Sequence, residues 1–155
     1  MSNLPPNFEI FFSYAHKDKK LRDELEKQVM IALYPTGILS WHDGEIGAGK
    51  EWEQEIEKHL ANAQVIILLI SSDFLYSLYC SRVEMARALQ RHQLGEARVI
   101  PVILRPVSWQ NAPFAHLQVL PARARPVTRW SDRDEAFLSV ALGIRNAVEE
   151  LTIRI

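Results

Sequence analysis

Several classes of function are excluded by what this chain lacks. Its one cysteine, Cys80, cannot build an intrachain disulfide framework, which fits a reducing, cytoplasmic setting. Neither sign of charge is in excess. Eighteen Lys and Arg against nineteen Asp and Glu leave a net charge of -1, so no broad cationic field exists to bind nucleic acid directly. No apolar run approaches the roughly 18 residues of a membrane span, and the N-terminus lacks a signal-peptide pattern. The five histidines, His16, His42, His59, His92 and His116, are scattered without metal-ligand spacing, and no zinc pattern is present. Internal repeats and low-complexity segments are absent.

What is present suits one globular domain. At 155 residues and 48% hydrophobic, the chain can bury a substantial core. Residues 1–7, with Pro5 and Pro6, read as a short leader before a single domain over 8–152. Phe8 to Phe12 reads as a first strand. Asp18 is placed to cap a helix whose apolar positions Leu21, Leu25, Val29 and Ala32 share one face. Pro35, Thr36 and Gly37 stop it. Ile38 to Trp41 forms a second strand, followed by the glycine-rich loop His42 to Lys50. A helix with Trp52, Ile56, Leu60 and Ala63 on one side comes next.

Val65 to Ile70 is an unbroken apolar run of the kind buried on both sheet faces. Ser71, Ser72 and Asp73 end it with turn and capping chemistry, and a helix carrying Glu84 follows. Arg98 to Leu104 is a fourth strand, in which Pro101 requires an edge or a bulge for its missing donor. After a loop rich in proline and tryptophan, Pro126 to Thr128 adds a short fifth strand. Ser131 and Asp132 cap a last helix with Phe137, Ala141, Ile144, Val148 and Leu151 on its apolar face. Strands alternating with helices imply an α/β fold: a flavodoxin-like parallel sheet of order 2-1-3-4-5 with helices on both faces.

Candidate chemistry gathers at the carboxyl ends of the strands, where open parallel sheets bind ligands. Gly44, Gly49 and Lys50 satisfy part of a phosphate-binding loop, but Glu51 replaces the Ser or Thr that would hold magnesium. No strand ends in an acidic residue to supply a second metal ligand, and a surface loop turned by glycines explains the pattern. Glu84 has two readings. It could form a solvated pair with Arg87, or stand at the margin of a stripe formed by Val83, Ala86 and Leu89, with Cys80 and Ser81 leaving room for a ligand. Cys80 reads as a small buried hydrophobe in preference to a nucleophile. Trp41 is the tryptophan best placed to stack on a flat ring.

Three stretches taken together, FEIFFSYAHKD, WHDGEIGAGKEW and SSDFLYSLYCSRVEMARAL, resemble a TIR (Toll/interleukin-1 receptor) domain of bacterial type. The similarity runs from about Phe8 to Leu151. Many TIR domains split NAD at the nicotinamide glycosidic bond with a glutamate that corresponds here to Glu84. The resemblance implies NAD as a substrate and no resident cofactor. It implies a pocket lined by Phe12, Ser13, Tyr14, Trp41, Asp43, Ser71 and Cys80. It also implies homotypic self-association with other TIR domains through a mobile loop, here Gly44, Glu45, Ile46, Gly47, Gly49 and Lys50. The plant-like pattern places a cysteine three residues before the glutamate, whereas Cys80 stands four before Glu84. The expected activity is that of an NAD glycohydrolase or cyclase in bacterial immune signalling. A non-catalytic TIR scaffold is the alternative, and a phosphoacceptor domain is disfavoured because the first strand ends in Ser13 and Tyr14 without an acidic cluster.

Overall fold

The computed structural model describes residues 8–34, 38–42, 52–78 and 82–153. The leader 1–7, the stop at 35–37, the loop 43–51 and Cys80 lie outside the described residues. Four parallel strands, β1 (Glu9–Ser13), β2 (Leu39–Trp41), β3 (Val65–Ile70) and β4 (Arg98–Ile103), are ordered 2-1-3-4. Helices α1 (Lys19–Ala32), α2 (Trp52–Asn62), α3 (Ser72–Leu78), α4 (Arg82–Gln93) and α5 (Arg133–Ile153) cover the sheet. This is the flavodoxin-like arrangement that the alternation of elements predicts.

The register explains the apolar runs. Phe12 pairs with Ile67, which pairs with Ile100, and Ile10 pairs with Val65. Every residue of β3 is buried, because successive side chains enter opposite faces and both faces are covered. Ile10, Phe12, Val65, Ile67 and Leu69 pack with Leu21, Leu25 and Val29 of α1 and with Phe137, Val140, Ala141 and Ile144 of α5. Phe11, Ile66, Leu68 and Ile70 pack on the other side with Ile56 and Leu60 of α2 and Met85 and Ala88 of α4.

The structure differs from the sequence reading at three places. Pro126 to Thr128 is no strand: Val127–Arg129 is a 3-10 turn. Beyond β4 a single parallel bridge, Val102 to Leu120, takes that place. Pro101 is accommodated as an edge demands. Leu120 N donates to Pro101 O, and Ile103 N donates to Leu120 O, so residues 101 and 103 turn their main-chain groups outward and β3 loses no donor.

The described residues between β3 and β4 form α3 and α4, and residues 79–81 between them lie outside the described residues. Among the described side chains of α4, Met85 and Ala88 are buried and Leu89 packs half-buried against the same cluster, while Ala86 is exposed, so Ala86 drops out of the expected stripe. Asp18 also departs from its expected role. It precedes α1 but makes no capping bond with its side chain, because its carboxylate is engaged elsewhere. Asp132, in contrast, accepts from Asp134 N and Glu135 N at the start of α5, as an N-cap should.

Candidate functional site at the carboxyl edge of the sheet

Parallel strands deliver all their carboxyl ends to one edge, and of the predicted site residues with described side chains, Ser13, Tyr14 and Ser71 lie there, while Phe12 does not. Ser13 ends β1 in register with Leu68 of β3 and is half-buried. Tyr14 follows it, half-buried, with its ring edge-on to His16 at 6.2 Å and to His42 at 6.0 Å between centroids. His42 comes directly after β2, so the aromatic contact joins the ends of β1 and β2. Phe12 points the other way into the core and is 1% exposed. The backbone of Trp41 lies opposite Phe11. Its side chain, Asp43, Cys80 and the loop Gly44, Glu45, Ile46, Gly47, Gly49 and Lys50 lie outside the described residues.

Ser71, at the end of β3, is fully buried. Its hydroxyl accepts from Phe74 N at 3.2 Å and donates to Asp18 Oδ2 at 2.5 Å. The first bond caps α3, satisfying one of its free N–H groups. The second reaches across to α1. Asp18, also fully buried, takes a further bond on Oδ1 from Arg105 Nε at 2.8 Å. Arg105 leaves the end of β4 and is 43% exposed. One carboxylate therefore ties together the ends of β3 and β4 and the start of α1. A buried carboxylate engaged by a hydroxyl and a guanidinium is built into the scaffold.

A second buried charge lies one turn along α1. Arg22 is 2% exposed and contacts Asp23 and Glu26. Its guanidinium carbon sits 4.8 Å from the centre of the Tyr14 ring. Glu26 in turn accepts from Ser40 Oγ of β2 at 2.8 Å.

Glu84 occupies the first turn of α4. Its side chain lies outside the described residues, but the helix fixes its position. Arg87 pairs with Glu57 of α2 at 3.8 Å. Arg91 Nη1 donates to Leu60 O and Ala63 O, each at 2.7 Å. These contacts set α2 and α4 side by side and parallel. Three residues before Arg87, four before Ala88 and seven before Arg91, Glu84 takes a position on the α2-facing side of its helix. The amino ends of α2 and α4 follow the carboxyl ends of β2 and β3, so that position belongs to the same edge as Tyr14.

Sequence reasoning missed Asp18, Arg22 and Arg105 as parts of this edge. A signal existed for two of them. Asp18, Arg22, Leu25 and Val29 follow one another at helical intervals, so both charges fall on the apolar stripe of α1, where an unpaired charge would be prohibitive. Arg105 lay in a loop with no periodicity to reveal it. Among the described residues no group of three or more His, Cys, Asp or Glu is arranged to hold a metal ion. No helix among them is long and apolar enough to cross a membrane.

Residues 10–138 match the sequence pattern of the TIR domain family. The chain belongs to that family. It is 47% identical over 143 residues to an uncharacterized protein, y4lF, of Sinorhizobium fredii (strain NBRC 101917 / NGR234). That alignment takes in 92% of this chain but 44% of its relative, so this TIR domain spans less than half the length of the protein it matches. Among solved structures, it is similar to the TIR domains of the activated Roq1 resistosome directly recognising the pathogen effector XopQ. There the TM-score is 0.47 and the identity 23%, covering 62% of this chain and 57% of the other.

Proposed function

We propose that this TIR domain cleaves NAD at the nicotinamide glycosidic bond, with Glu84 as the catalytic carboxylate. The reading is supported by the position of Glu84 in the first turn of α4, a helix of the segment that follows the carboxyl end of β3, and by the meeting of Tyr14 and His42 where β1 and β2 end. Ser13, Tyr14, Trp41 and Asp43 would hold the dinucleotide. Ser71 supports the site from below through Asp18, and the family resemblance adds Cys80 to its lining.

The reaction asks little of the protein beyond placement and charge. Nicotinamide in NAD is already cationic, so it departs with the electron pair of the C1′–N bond and needs no acid to protonate it. Positive charge then develops on the ribose ring as an oxocarbenium ion. A carboxylate beside it, in a site that excludes bulk water, stabilises that charge. Water adding at C1′ with loss of a proton gives ADP-ribose. Attack by an adenine nitrogen of the same molecule gives a cyclic isomer.

Self-association of TIR domains, with the loop from Gly44 to Lys50 meeting a neighbouring copy, completes the site. The domain serves as one module of a longer cytoplasmic protein in bacterial immune signalling. The test is nicotinamide release from NAD at low and high protein concentration, with product chromatography. Wild type should gain specific activity with concentration, and Glu84→Gln should lose at least about a hundredfold, as expected when a transition-state charge partner is removed. Undiminished release by Glu84→Gln rejects the assignment. Intact NAD with wild type under forced oligomerisation favours the scaffold reading.

A further inference from the structure

Arg22 is an expensive residue to place where it is. A guanidinium 2% exposed has given up its hydration, and a native fold normally returns hydrogen bonds in exchange. Here the return is incomplete. Among the described residues no acceptor reaches Arg22 Nε or Nη1. Glu26 Oε1 stands 3.7 Å from Nη1, close enough for charge attraction but too far for a hydrogen bond. An apolar side chain would fill this part of the stripe more cheaply if filling were the only requirement.

Nη2 donates to Asp23 Oδ1, and the cation also has the face of Tyr14. At 4.8 Å from the ring centre the guanidinium lies in the attractive field of the aromatic quadrupole, stronger here because water is excluded. The same Arg22 is linked through Glu26 to Ser40 Oγ of β2, and Tyr14 meets His42 just beyond β2. Ring, cation, carboxylate and strand thus form one continuous support beneath the ends of β1 and β2.

We infer that Arg22 is a positioning residue of the candidate site: its buried guanidinium fixes the Tyr14 ring and the end of β2 where substrate binds, without touching substrate. The inference rests on the NAD reading for its effect on substrate, but the placement of Tyr14 is testable without it. Arg22→Met keeps a long apolar stem and removes the charge; Arg22→Lys keeps a cation and removes the planar fork. Both are compared with wild type by steady-state nicotinamide release. In parallel, fluorine NMR is recorded on fluorotyrosine-labelled protein, with the Tyr14 signal assigned by Tyr14→Phe.

Loss of the cation is expected to raise KM about tenfold with kcat within about twofold, and Arg22→Lys should recover most of that loss. The Tyr14 signal in Arg22→Met should move toward those of Tyr34 and Tyr76, which are 82% and 79% exposed. A folded Arg22→Met with unchanged KM overturns the inference, as does an unmoved Tyr14 signal. Should Arg22→Met fail to fold, Arg22→Lys is read alone, and wild-type KM and signal there overturn it. If wild type releases no nicotinamide, the NAD reading fails by itself. The fluorine spectrum then decides the support of Tyr14 by Arg22, a moved signal sustaining it and an unmoved one ending it.

Discussion

Replacing Asp18 with alanine removes the one group that joins α1, α3 and the end of β4. The carboxylate accepts from Ser71 Oγ and from Arg105 Nε at 2.8 Å. Hydrogen bonds to a charged group are worth about 1.5–3 kcal/mol each. Arg105 is 43% exposed and can turn into water, so its share belongs at the low end, about 1 kcal/mol after solvent screening. Ser71 is fully buried, and its stranded O–H adds about 1–3 kcal/mol. Together these give an expected loss of about 2–4 kcal/mol, with relief of carboxylate desolvation drawing it toward the lower end. For a chain of this size that lowers Tm by roughly 5–12 °C.

Urea unfolding followed by tryptophan fluorescence and by far-ultraviolet circular dichroism would measure the loss, with an unchanged m-value confirming an effect on stability alone. Ser71→Ala should cost less, about 1–2 kcal/mol, because the capping bond to Phe74 goes but no buried charge is stranded beyond its other partner. The double variant should fall short of the sum by about 1 kcal/mol or more, as contacting residues do. A loss under about 0.5 kcal/mol for Asp18→Ala, in the range of ordinary surface changes, would refute the claim that this carboxylate organises the edge.

Gly95 ends α4 with φ +74°, donating from its N–H to His92 O while Glu96 N donates to Arg91 O. Nothing lies within 4 Å of an added Cβ, so Gly95→Ala should cost about 1 kcal/mol from backbone conformation alone in a urea titration. Arg91→Met keeps the apolar stem but strips Leu60 O and Ala63 O of their donor; about 1–3 kcal/mol should be lost by the same measurement. His92 Nδ1 accepts from Val99 N at 3.0 Å. Its pKa is held below 6.5 by burial first and then by the charges of Arg98 and His116. The unfolded chain therefore takes up this proton at higher pH than the folded one. Stability from His92 is complete above the ordinary histidine range, and is lost as pH falls from about 6.5 toward the lower folded value. His92→Gln should flatten that part of the wild-type profile of urea midpoint against pH.

The sequence spoke most clearly where a residue's surroundings repeat along the chain. Val65 to Ile70 announces a strand buried on both faces, and Leu21, Leu25 and Val29 announce the inner side of α1. Pro101 even announced its edge. Long-range partnerships left no such trace. Asp18 looks like a helix cap because capping is local chemistry, yet its bonds go to residues 53 and 87 positions away. Arg105 sits in a loop and acquires its partner only when β4 is laid beside β3. Pro126 to Thr128 has the composition of a short strand, but Thr128 N donates to Leu104 O and Arg129 N to Pro126 O. The chain turns there instead of extending.

Pro101 has a consequence for assembly. A parallel sheet can grow indefinitely by hydrogen-bonding new strands onto a bare rim, which is how edge strands aggregate. On the β4 side that route is shut: the ring of Pro101 offers nothing to donate, and Leu120 already occupies the outward carbonyl of Pro101 and the outward N–H of Ile103. Copies of this domain therefore cannot fuse their sheets along this border, and contacts made there fall to helices and loops.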